Sequence, residues 1–534
     1  MFFSIDQNCH SLWDALPKVQ ALAGRDERVR HFLEDVDVAF TALGAGPDTP
    51  LRLAKERFYR SGGQDWGAAL FYSEFLGRVP VEIRHWEPLT GMTTKALAGR
   101  LRRKVDELYG QYSPGDNWQL IGPSYVGDKE HHRVIGDLSV EETAGFLRQM
   151  MDTAERDLNE RFIDESARKR LAGWFSGERA LMERLIAAVG EGPLVELYRR
   201  WMTEHVDDRV TLDLTSNLFA IDAYSNRLKL LEWFCGDYST AVGLYNDAIE
   251  QSGVDVHKLD AERGELPFFA VLTHEGRLVR CEVFLNGSDL CVGERTFKLT
   301  GEGRFPVEQM QSAGVRCLAG KAVLLTIQAR LEPGGAPLAV PHRGSPYMPA
   351  SHELARKLTE AGALGGKVHP VARVRFRLLD RMAGLDTRIR LPAHLARAMG
   401  SEEVSADELS QAWASLSDEA QKRLEEFRTD QGRRRWQQEE LPELLQELDE
   451  LDSRRRELAR KDPKCPEIRE ASKRSKELET QLLERTLQRI DDDWQLAALD
   501  TWDSRGAIMP ICIALGGQEF YRRVLAEAEV YDES

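Results

Sequence analysis

The sequence predicts an α/β protein with mostly parallel strands, extended by a small antiparallel β element and by an antiparallel helical coiled coil. Short apolar runs that are typical of buried strands alternate with segments of helical periodicity, which favours parallel pairing through helical crossovers. Between residues 268 and 299 the apolar period changes to two, as in half-exposed strands. From 406 to 498 the chain is highly charged and carries heptad-like leucines.

The length and composition of the chain exclude several classes of protein. A chain of 534 residues is too long for one ordinary core, so about two to four structural units are expected. The net charge of −16 argues against a general nucleic-acid binder, because phosphate neutralisation needs a basic surface. The chain shows no apolar run of about 18 residues and no secretion signal, so we expect no membrane partner. Seven scattered cysteines without a CxxC pair predict reduced cytoplasmic thiols and no metal site.

The first half of the chain is predicted to be mainly helical, with strands between the helices. The run 118–126 indicates a strand entering a loop. Ser139 and Glu142 form a capping-box pattern that begins a helical region reaching about residue 204. The run 209–214 then resembles a strand, and 222–251 returns to helical periodicity.

The second half begins with the predicted β element. Residues 277–285 alternate between apolar and polar, Asn286-Gly287 predicts a hairpin turn, and 290–299 predicts the returning strand. The apolar runs 323–327 and 338–340 predict buried strands. Near the end of the chain, the apolar segment 507–515 is expected to pack on the body.

The charged helical region predicts an antiparallel coiled-coil hairpin. The first helix has leucines spaced by three or four residues, at Leu441, Leu444, Leu448, Leu451 and Leu458. The step from Leu451 to Leu458 is seven residues, and Arg455 occupies the heptad position between them. Pro463 and Pro466 must break the helix, because each removes a donor and clashes with the preceding turn. A second apolar stripe continues at Leu478, Leu482, Ile490 and Trp494. Two such helices joined by a short turn form a hairpin.

The loop 341–349 is the most informative candidate site. It places His342, Arg343, Ser345 and Tyr347 between a predicted strand and a predicted helix over 350–361. Polar side chains at the carboxyl end of a strand are where open α/β sheets bind ligands, and prolines restrict such a loop. Arg343 is suited to grip a carboxylate or phosphate in a bidentate manner, with Ser345 and Tyr347 donating to the same ligand. The alternative is a rigid turn whose His342 and Arg343 cap it or face water.

A second candidate loop contains Gly63 and Gln64 before a predicted helix. Glycines at the start of a helix let backbone N–H groups approach an anion or a carbonyl oxygen. A simple turn is the alternative interpretation, since a glycine pair alone is a weak signal.

A third candidate loop follows the strand that ends near residue 126. Asp128 and His131 place a carboxylate beside an imidazole, a combination that can serve as a general base. A solvated charged turn is the alternative. Asn217, beyond the predicted strand 209–214, is a further candidate for the same ligand.

Taken in order, these pieces resemble the family of the cysteine-adding enzyme (cysteine ligase) of bacillithiol biosynthesis. The similar features are the GGQ sequence at 62–64, the strand and acidic histidine loop at 126–131, the strand, loop and helix at 339–362, and the closing segment 508–523. The resemblance covers most of the chain. It departs from the family in the ligand loops, where Asp65-Trp66-Gly67 and His342-Arg343-Gly344-Ser345 replace the family's residues.

The resemblance implies a fold and an activity. It implies a Rossmann-like core, a homodimer formed through the coiled coil, and a ligase-like enzyme that adds cysteine or another amino acid to a small amine-bearing, sugar-derived acceptor. Asp128 or His131 would remove a proton from the attacking amine, and Arg343 and Ser345 would hold an anionic group. The remaining predicted substrate-binding residues are Gly63, Gln64, Asn217, His342 and Tyr347. The activating cofactor is unknown, with an adenine nucleotide as the candidate.

Two other functions remain open from the sequence alone. A charged hairpin fits a non-catalytic dimeric coiled-coil scaffold or adaptor as well as it fits a dimeric enzyme. The loops also fit a phosphate-handling enzyme, although none of them matches a Walker loop or a dinucleotide fingerprint.

The same observations predict five segments along the chain. They are a Rossmann-like core with a helical insertion at 1–260, a small β insertion at 261–320, the completion of the α/β core at 321–400, an antiparallel coiled-coil hairpin at 401–500, and a C-terminal segment packing on the core at 501–534.

Overall fold

The computed structural model covers the whole chain and describes most of it. The described residues are 1–6, 12–25, 27–37, 71–79, 86–105, 107–108, 118–120, 132–254, 256–301, 303–331 and 336–533.

The described strands are short and distributed along the whole chain. They are β1 (Phe2–Ile5), β2 (Val29–Leu33), β3 (Phe71–Ser73), β4 (Trp118–Leu120), β5 (His132–Arg133), β6 (Val210–Leu214), β7 (Glu265–His274), β8 (Arg277–Asn286), β9 (Asp289–Val292), β10 (Arg295–Lys298), β11 (Val315–Gly320), β12 (Leu338–Pro341), β13 (Val371–Arg375), β14 (Arg388–Arg390), β15 (Glu403–Ser405) and β16 (Glu529–Glu533).

The described helices make up most of the regular structure. They are α1 (Leu12–Ala23), α2 (Glu87–Thr90), α3 (Thr94–Leu101), α4 (Val140–Arg161), α5 (Glu165–Val189), α6 (Leu194–Thr203), α7 (Thr215–Leu218), α8 (Asn226–Gly236), α9 (Tyr238–Ser252), α10 (Val307–Ser312), α11 (Ala322–Ala329), α12 (Met348–Glu360), α13 (Leu378–Arg381), α14 (Ala393–Met399), α15 (Ala406–Phe427), α16 (Asp430–Glu440), α17 (Pro442–Lys461), α18 (Pro466–Ala497) and α19 (Ile508–Ala526).

The main sheet has the strand order β16-β13-β12-β1-β2-β6. Its neighbours pair in parallel from β13 through β6, and β16 adds to β13 as an antiparallel edge. The predicted α/β class is therefore confirmed, and parallel pairing predominates within the main sheet, which is mixed. The chain adds strands in one direction from β1 to β6 and in the other direction from β12 to β16. The direction reverses between β1 and β12, which is the place where open α/β sheets form a ligand crevice.

Both faces of the main sheet are covered at its centre, where β1 and β12 are mostly apolar. One face packs on a helical core that includes α1, α4, α5, α6 and α19. On the other face, Phe3, Phe32 and Val340 pack against Phe269 and Cys317 of the second sheet.

The second sheet has the strand order β10-β9-β8-β7-β11 and is antiparallel throughout, with β5 paired to β8. The predicted hairpin is present, but its two turn residues are Gly287 and Ser288, one position later than expected. Gly287 has φ +60°, a conformation that glycine adopts without strain. The single returning strand predicted over 290–299 is wrong, because Gly293 (φ +54°) turns the chain and separates β9 from β10.

The strand predicted over 323–327 is also wrong, since these residues form the centre of α11. Val323, Leu324 and Ile327 are fully buried, so this helix has apolar side chains around most of its circumference. Periodicity cannot separate a buried helix from a buried strand in so short a run. The neighbouring prediction holds, because 338–340 lie in β12.

The local signals in the helical regions are confirmed. Ser139 and Glu142 form the expected capping box at the start of α4. The chain breaks between α17 and α18 at the predicted prolines, and Pro466 occupies the first turn of α18, where a missing N–H costs little. The two helices run antiparallel, because Arg454 pairs with Glu467 at 2.7 Å and Arg474 pairs with Glu447 at 2.8 Å.

Three consecutive aspartates join α18 to the body. Asp491, Asp492 and Asp493 are all buried. Their arginine partners come from several elements and are Arg78 for Asp491, Arg397 for Asp492, and both Arg423 and Arg489 for Asp493. A buried carboxylate needs such partners to offset the cost of losing its hydration.

The apolar segment 507–515 begins α19 and is buried within the helical core, as its composition predicts. Among the helices that the structure describes, none combines the length and the apolar character that a membrane crossing requires.

Candidate functional site

A cavity of about 90 Å³ lies at the carboxyl ends of β1, β12 and β13, beside the reversal of strand direction. Its apolar wall includes Ile5, Val340 and Val374, the residues near the ends of these strands. The polar side chains that line it are Asp6, Asp14, Lys18, Ser345, Ser504 and Arg505. The cavity therefore occupies the crevice that the sheet topology predicts for a ligand.

Asp14 and Lys18 form the ionisable centre of this cavity. They lie one helical turn apart on α1, so both side chains project from the same face. Burial raises the pKa of Asp14 to about 6, although the Arg505 guanidinium and a hydrogen bond from the Gly506 N–H oppose this rise. Burial also lowers the pKa of Lys18, against the attraction of Asp6 and Asp14. The two shifts bring a carboxyl and an amine closer to the pH at which each can exchange a proton.

Among the described residues, the Lys18 ammonium has one hydrogen-bond acceptor. Its side chain is 5% exposed, and its described hydrogen bond goes to the Ile5 carbonyl oxygen at 3.5 Å. This distance is at the upper limit for a hydrogen bond, and an ammonium has three donors. A ligand oxygen in the cavity would complete the coordination of Lys18.

A buried hydrogen-bond chain orients Asp6 toward the cavity. The Asp6 carboxylate contacts His31 Nε2 at 2.9 Å, and His31 Nδ1 contacts Ser4 Oγ at 2.9 Å. Ser4 and His31 face each other across β1 and β2, and both are fully buried. A buried hydroxyl cannot reach a substrate, so this serine, histidine and aspartate set is an orienting network and not a nucleophilic triad.

The loop between β12 and α12 forms another wall and is held in place by Arg373. This guanidinium donates to the carbonyl oxygens of Pro341 at 3.0 Å and Gly344 at 2.5 Å, and it pairs with Glu533 at 2.7 Å. Ser345 follows with φ +54°, a left-handed conformation that is uncommon for serine. Backbone strain of this kind persists only where the surroundings impose it.

We expect Ser345→Gly to be more stable than Ser345→Ala by about 1 kcal/mol, because only glycine adopts this backbone conformation without strain. Both variants lose the hydroxyl, so the difference between them isolates the backbone term. Urea unfolding of the two variants measures it. Equal stabilities would show that the loop relaxes when the side chain is removed.

The structure places three predicted site residues outside this cavity. His342 contacts the Tyr531 hydroxyl through Nδ1 at 2.6 Å. Arg343 is exposed and pairs with Asp500. Asn217 is exposed near the opposite edge of the sheet, where it donates to Asp213 at 2.8 Å. Gly63, Gln64, Asp128 and His131 lie outside the described residues.

Tyr347 lines a second cavity, of about 340 Å³, between the end of β2 and the second sheet. Its charged lining residues are Glu34, Asp37, Arg280 and Lys321. Arg280 pairs with Asp37 at 3.0 Å and stacks over Phe269 at 3.7 Å from the ring centre, which covers one wall. Burial and the neighbouring carboxylates of Asp37 and Asp35 raise the pKa of Glu34 well above its usual range.

One loop separates the two cavities. Ser345 lines the smaller cavity and Tyr347 lines the larger one, although only one residue stands between them in the chain. Ligands bound in the two cavities would therefore lie on either side of a loop that Arg373 holds in place.

Sequence reasoning found this loop but missed Asp14, Lys18 and Arg505. A signal was present, because Asp14 and Lys18 are an oppositely charged pair inside the otherwise apolar run of α1. Within the described residues, no group of three or more histidine, cysteine, aspartate or glutamate side chains is arranged to hold a metal ion.

Comparison with known proteins adds no relative. No protein-family model, no curated protein and no solved structure matches this chain.

Proposed function

We propose that this chain is a ligase-like enzyme whose reaction takes place at the 90 Å³ cavity. The proposed reaction adds cysteine or another amino acid to a small amine-bearing, sugar-derived acceptor in low-molecular-weight thiol synthesis. The observation that carries the proposal is the pairing of Asp14 with Lys18 in a cavity at the reversal of strand direction. Buried ionisable groups with shifted pKa values are typical of catalytic sites.

Asp14 is suited to act as the general base. An amine attacks a carbonyl carbon only when it is neutral, so a nearby base must accept its proton. With a pKa raised to about 6, Asp14 is ionised at neutral pH and is a stronger base than an ordinary aspartate. Arg505 and Lys18 supply donors for an anionic group of the substrate.

The second cavity and the sheet order support a two-substrate enzyme. The larger cavity carries both acidic and basic side chains and lies across the same loop. When the six strands of the main sheet are numbered in chain order, they lie in the order 3-2-1-4-5-6, which is also the order in dinucleotide-binding folds, with the sixth strand antiparallel in this chain. The proposed enzyme therefore has a Rossmann-like core and uses an adenine nucleotide as its activating cofactor.

The test is a direct search for product. Purified protein is incubated with cysteine, glucosaminyl malate and adenosine triphosphate, and the condensed amide is detected by mass spectrometry. We expect product from the wild-type protein and a reduction of kcat by about 100-fold in Asp14→Asn, the usual contribution of a general base. Asp207→Asn is the matched control, because Asp207 is exposed and lies outside both cavities.

Two results would refute the proposal. One is the absence of any condensed product from protein that is shown to be folded. The other is an Asp14→Asn variant with the same kcat as the wild type, since a general base cannot be removed without cost.

A dimeric scaffold is the second candidate function, and one observation favours it. None of the side chains in α17 is buried, so Leu444, Leu445 and Leu448 remain partly exposed. Such a stripe is typical of a helix that pairs with another chain, either as a homodimer or with a different protein. The predicted coiled coil and dimer belong to this proposal as well as to the enzyme.

Substituting Leu448→Glu distinguishes the two functions. We expect the variant to weaken self-association, as measured by light scattering during size-exclusion chromatography. If the weakened protein still forms product, the hairpin serves an enzyme. If the protein forms no product but loses a bound partner chain, the scaffold function is favoured.

A further inference from the structure

Lys18 is arranged as a nucleophile as well as a donor. The amine lines the 90 Å³ cavity, its side chain is 5% exposed, and its described acceptor is one carbonyl oxygen at 3.5 Å. Burial opposes the charged form of Lys18 more strongly than the Asp6 and Asp14 carboxylates favour it, so this amine loses its proton more readily than an exposed lysine does. Lysines desolvated in this manner form imines with carbonyl compounds in many enzymes.

We propose that Lys18 forms an imine with a small aldehyde or 2-oxo acid bound in the 90 Å³ cavity. This activity goes beyond the proposed ligase reaction and does not depend on it. The inference concerns the chemistry of the cavity itself, which holds an amine, a carboxyl group and a guanidinium together.

The surrounding groups have complementary roles. Arg505 can pair with the carboxylate of the ligand, and the hydroxyls of Ser345 and Ser504 can donate to its oxygen atoms. A volume of about 90 Å³ corresponds to about three water molecules at liquid density, which suits a ligand as small as glyoxylate. Glyoxylate is therefore the probe that tests the amine directly.

The reaction balances with the groups present. The neutral Lys18 Nζ attacks the carbonyl carbon, a C–N bond forms, and the C=O π electron pair moves to the oxygen. The Asp14 carboxylate carries one Nζ proton to this oxygen, which becomes the hydroxyl of a carbinolamine. Asp14 then accepts the second Nζ proton and delivers it to the hydroxyl, which leaves as water while the C=N bond forms. The products are the imine and one water molecule. Proton exchange near neutral pH suits Asp14, because burial raises its pKa to about 6.

The experiment traps the imine in the folded, full-length protein. The protein is incubated at pH 7 with glyoxylate and sodium cyanoborohydride, which reduces the imine to carboxymethyl-lysine, and peptides are mapped by mass spectrometry. Lys258 and Lys461 are exposed lysines that serve as internal references. We expect Lys18 to be labelled at least about tenfold faster than either, because burial lowers the pKa of Lys18 and so raises the fraction of its amine that is neutral at pH 7.

A variant and a denatured control complete the test. Lys18→Arg should abolish the label at this position while leaving the labelling of Lys258 unchanged. Labelling in urea shows that the Lys18 peptide is detectable. If Lys18 is labelled in urea but remains no faster than Lys258 in the folded protein, the inference is overturned. A labelled Lys18 without any ligase product supports the imine and refutes only the proposed function.

Discussion

Asp14→Asn will stabilise the folded protein by about 2 to 3 kcal/mol at pH 8, and by less than about 1 kcal/mol at pH 4. Burial raises the pKa of Asp14 from 3.8 to about 6, so the folded state binds this proton more tightly than the unfolded state. Ionisation of Asp14 therefore lowers the free energy of unfolding. This loss of stability is small below pH 3.8, increases between pH 3.8 and about 6, and reaches its full value above about pH 6. Asparagine keeps the shape of the neutral carboxyl and removes this loss of stability.

Urea unfolding of both proteins at pH 4, 6 and 8 measures this effect. Asp213→Asn is the control with the opposite sign. Burial raises the pKa of Asp213, but hydrogen bonds from Asn217 and Arg30 outweigh it and the net shift is downward. Its removal should cost stability near neutral pH. An Asp14→Asn effect that does not change with pH would contradict the prediction.

The gain in stability has a functional meaning. Replacing a residue that is needed for chemistry often stabilises a fold, because catalytic groups are held in environments that oppose their charge. A variant that is more stable but slower in the product assay would identify Asp14 as a residue kept for its chemistry.

The second large effect is expected at the base of the helical hairpin. Asp493→Asn should destabilise the protein by about 3 kcal/mol, because breaking a buried ion pair leaves its partners without a counter-charge. The Asp493 side chain is 0% exposed and accepts from Arg423 at 2.9 Å and from Arg489 at 2.9 Å. Both guanidiniums are partly exposed, so water offsets some of the loss.

Asp492→Asn is the matched control on the next residue. Its partner Arg397 is 52% exposed, so this pair resembles a surface ion pair and its loss should cost about 1 kcal/mol. Urea unfolding at pH 7 compares the two variants with the wild type. Equal effects at the two positions would show that burial of Asp493 does not decide the strength of this contact.

Local signals in the sequence were sufficient for several elements. The capping box of Ser139 and Glu142, the break at Pro466 and the strand at 338–340 each depend on residues close together in the chain. The run 323–327 shows the limit of such signals. Its apolar residues are compatible with a buried helix and with a buried strand. The run forms the helix α11, which packs between β11 and α12.

The candidate site depended on contacts between distant segments. The loop 341–349 was recognisable, and Ser345 lines the cavity as part of it. Arg343 was predicted to hold a ligand, but Asp500, far away in the chain, lies close enough to pair with it. Its predicted role is untested, while Lys18 and Arg505 provide the positive charge at the cavity.

The sequence by itself determined the α/β class, the helical hairpin and the loop that separates the two cavities. Each of these follows from periodicity, prolines or capping within a short stretch of chain. Only the tertiary structure decided that Asp14, Lys18 and Arg505 meet beside that loop. The physical reason is the strand order, which brings the ends of β1 and β12 together across more than 300 residues of sequence. Burial at that junction then shifts the pKa values that make the cavity a candidate for chemistry.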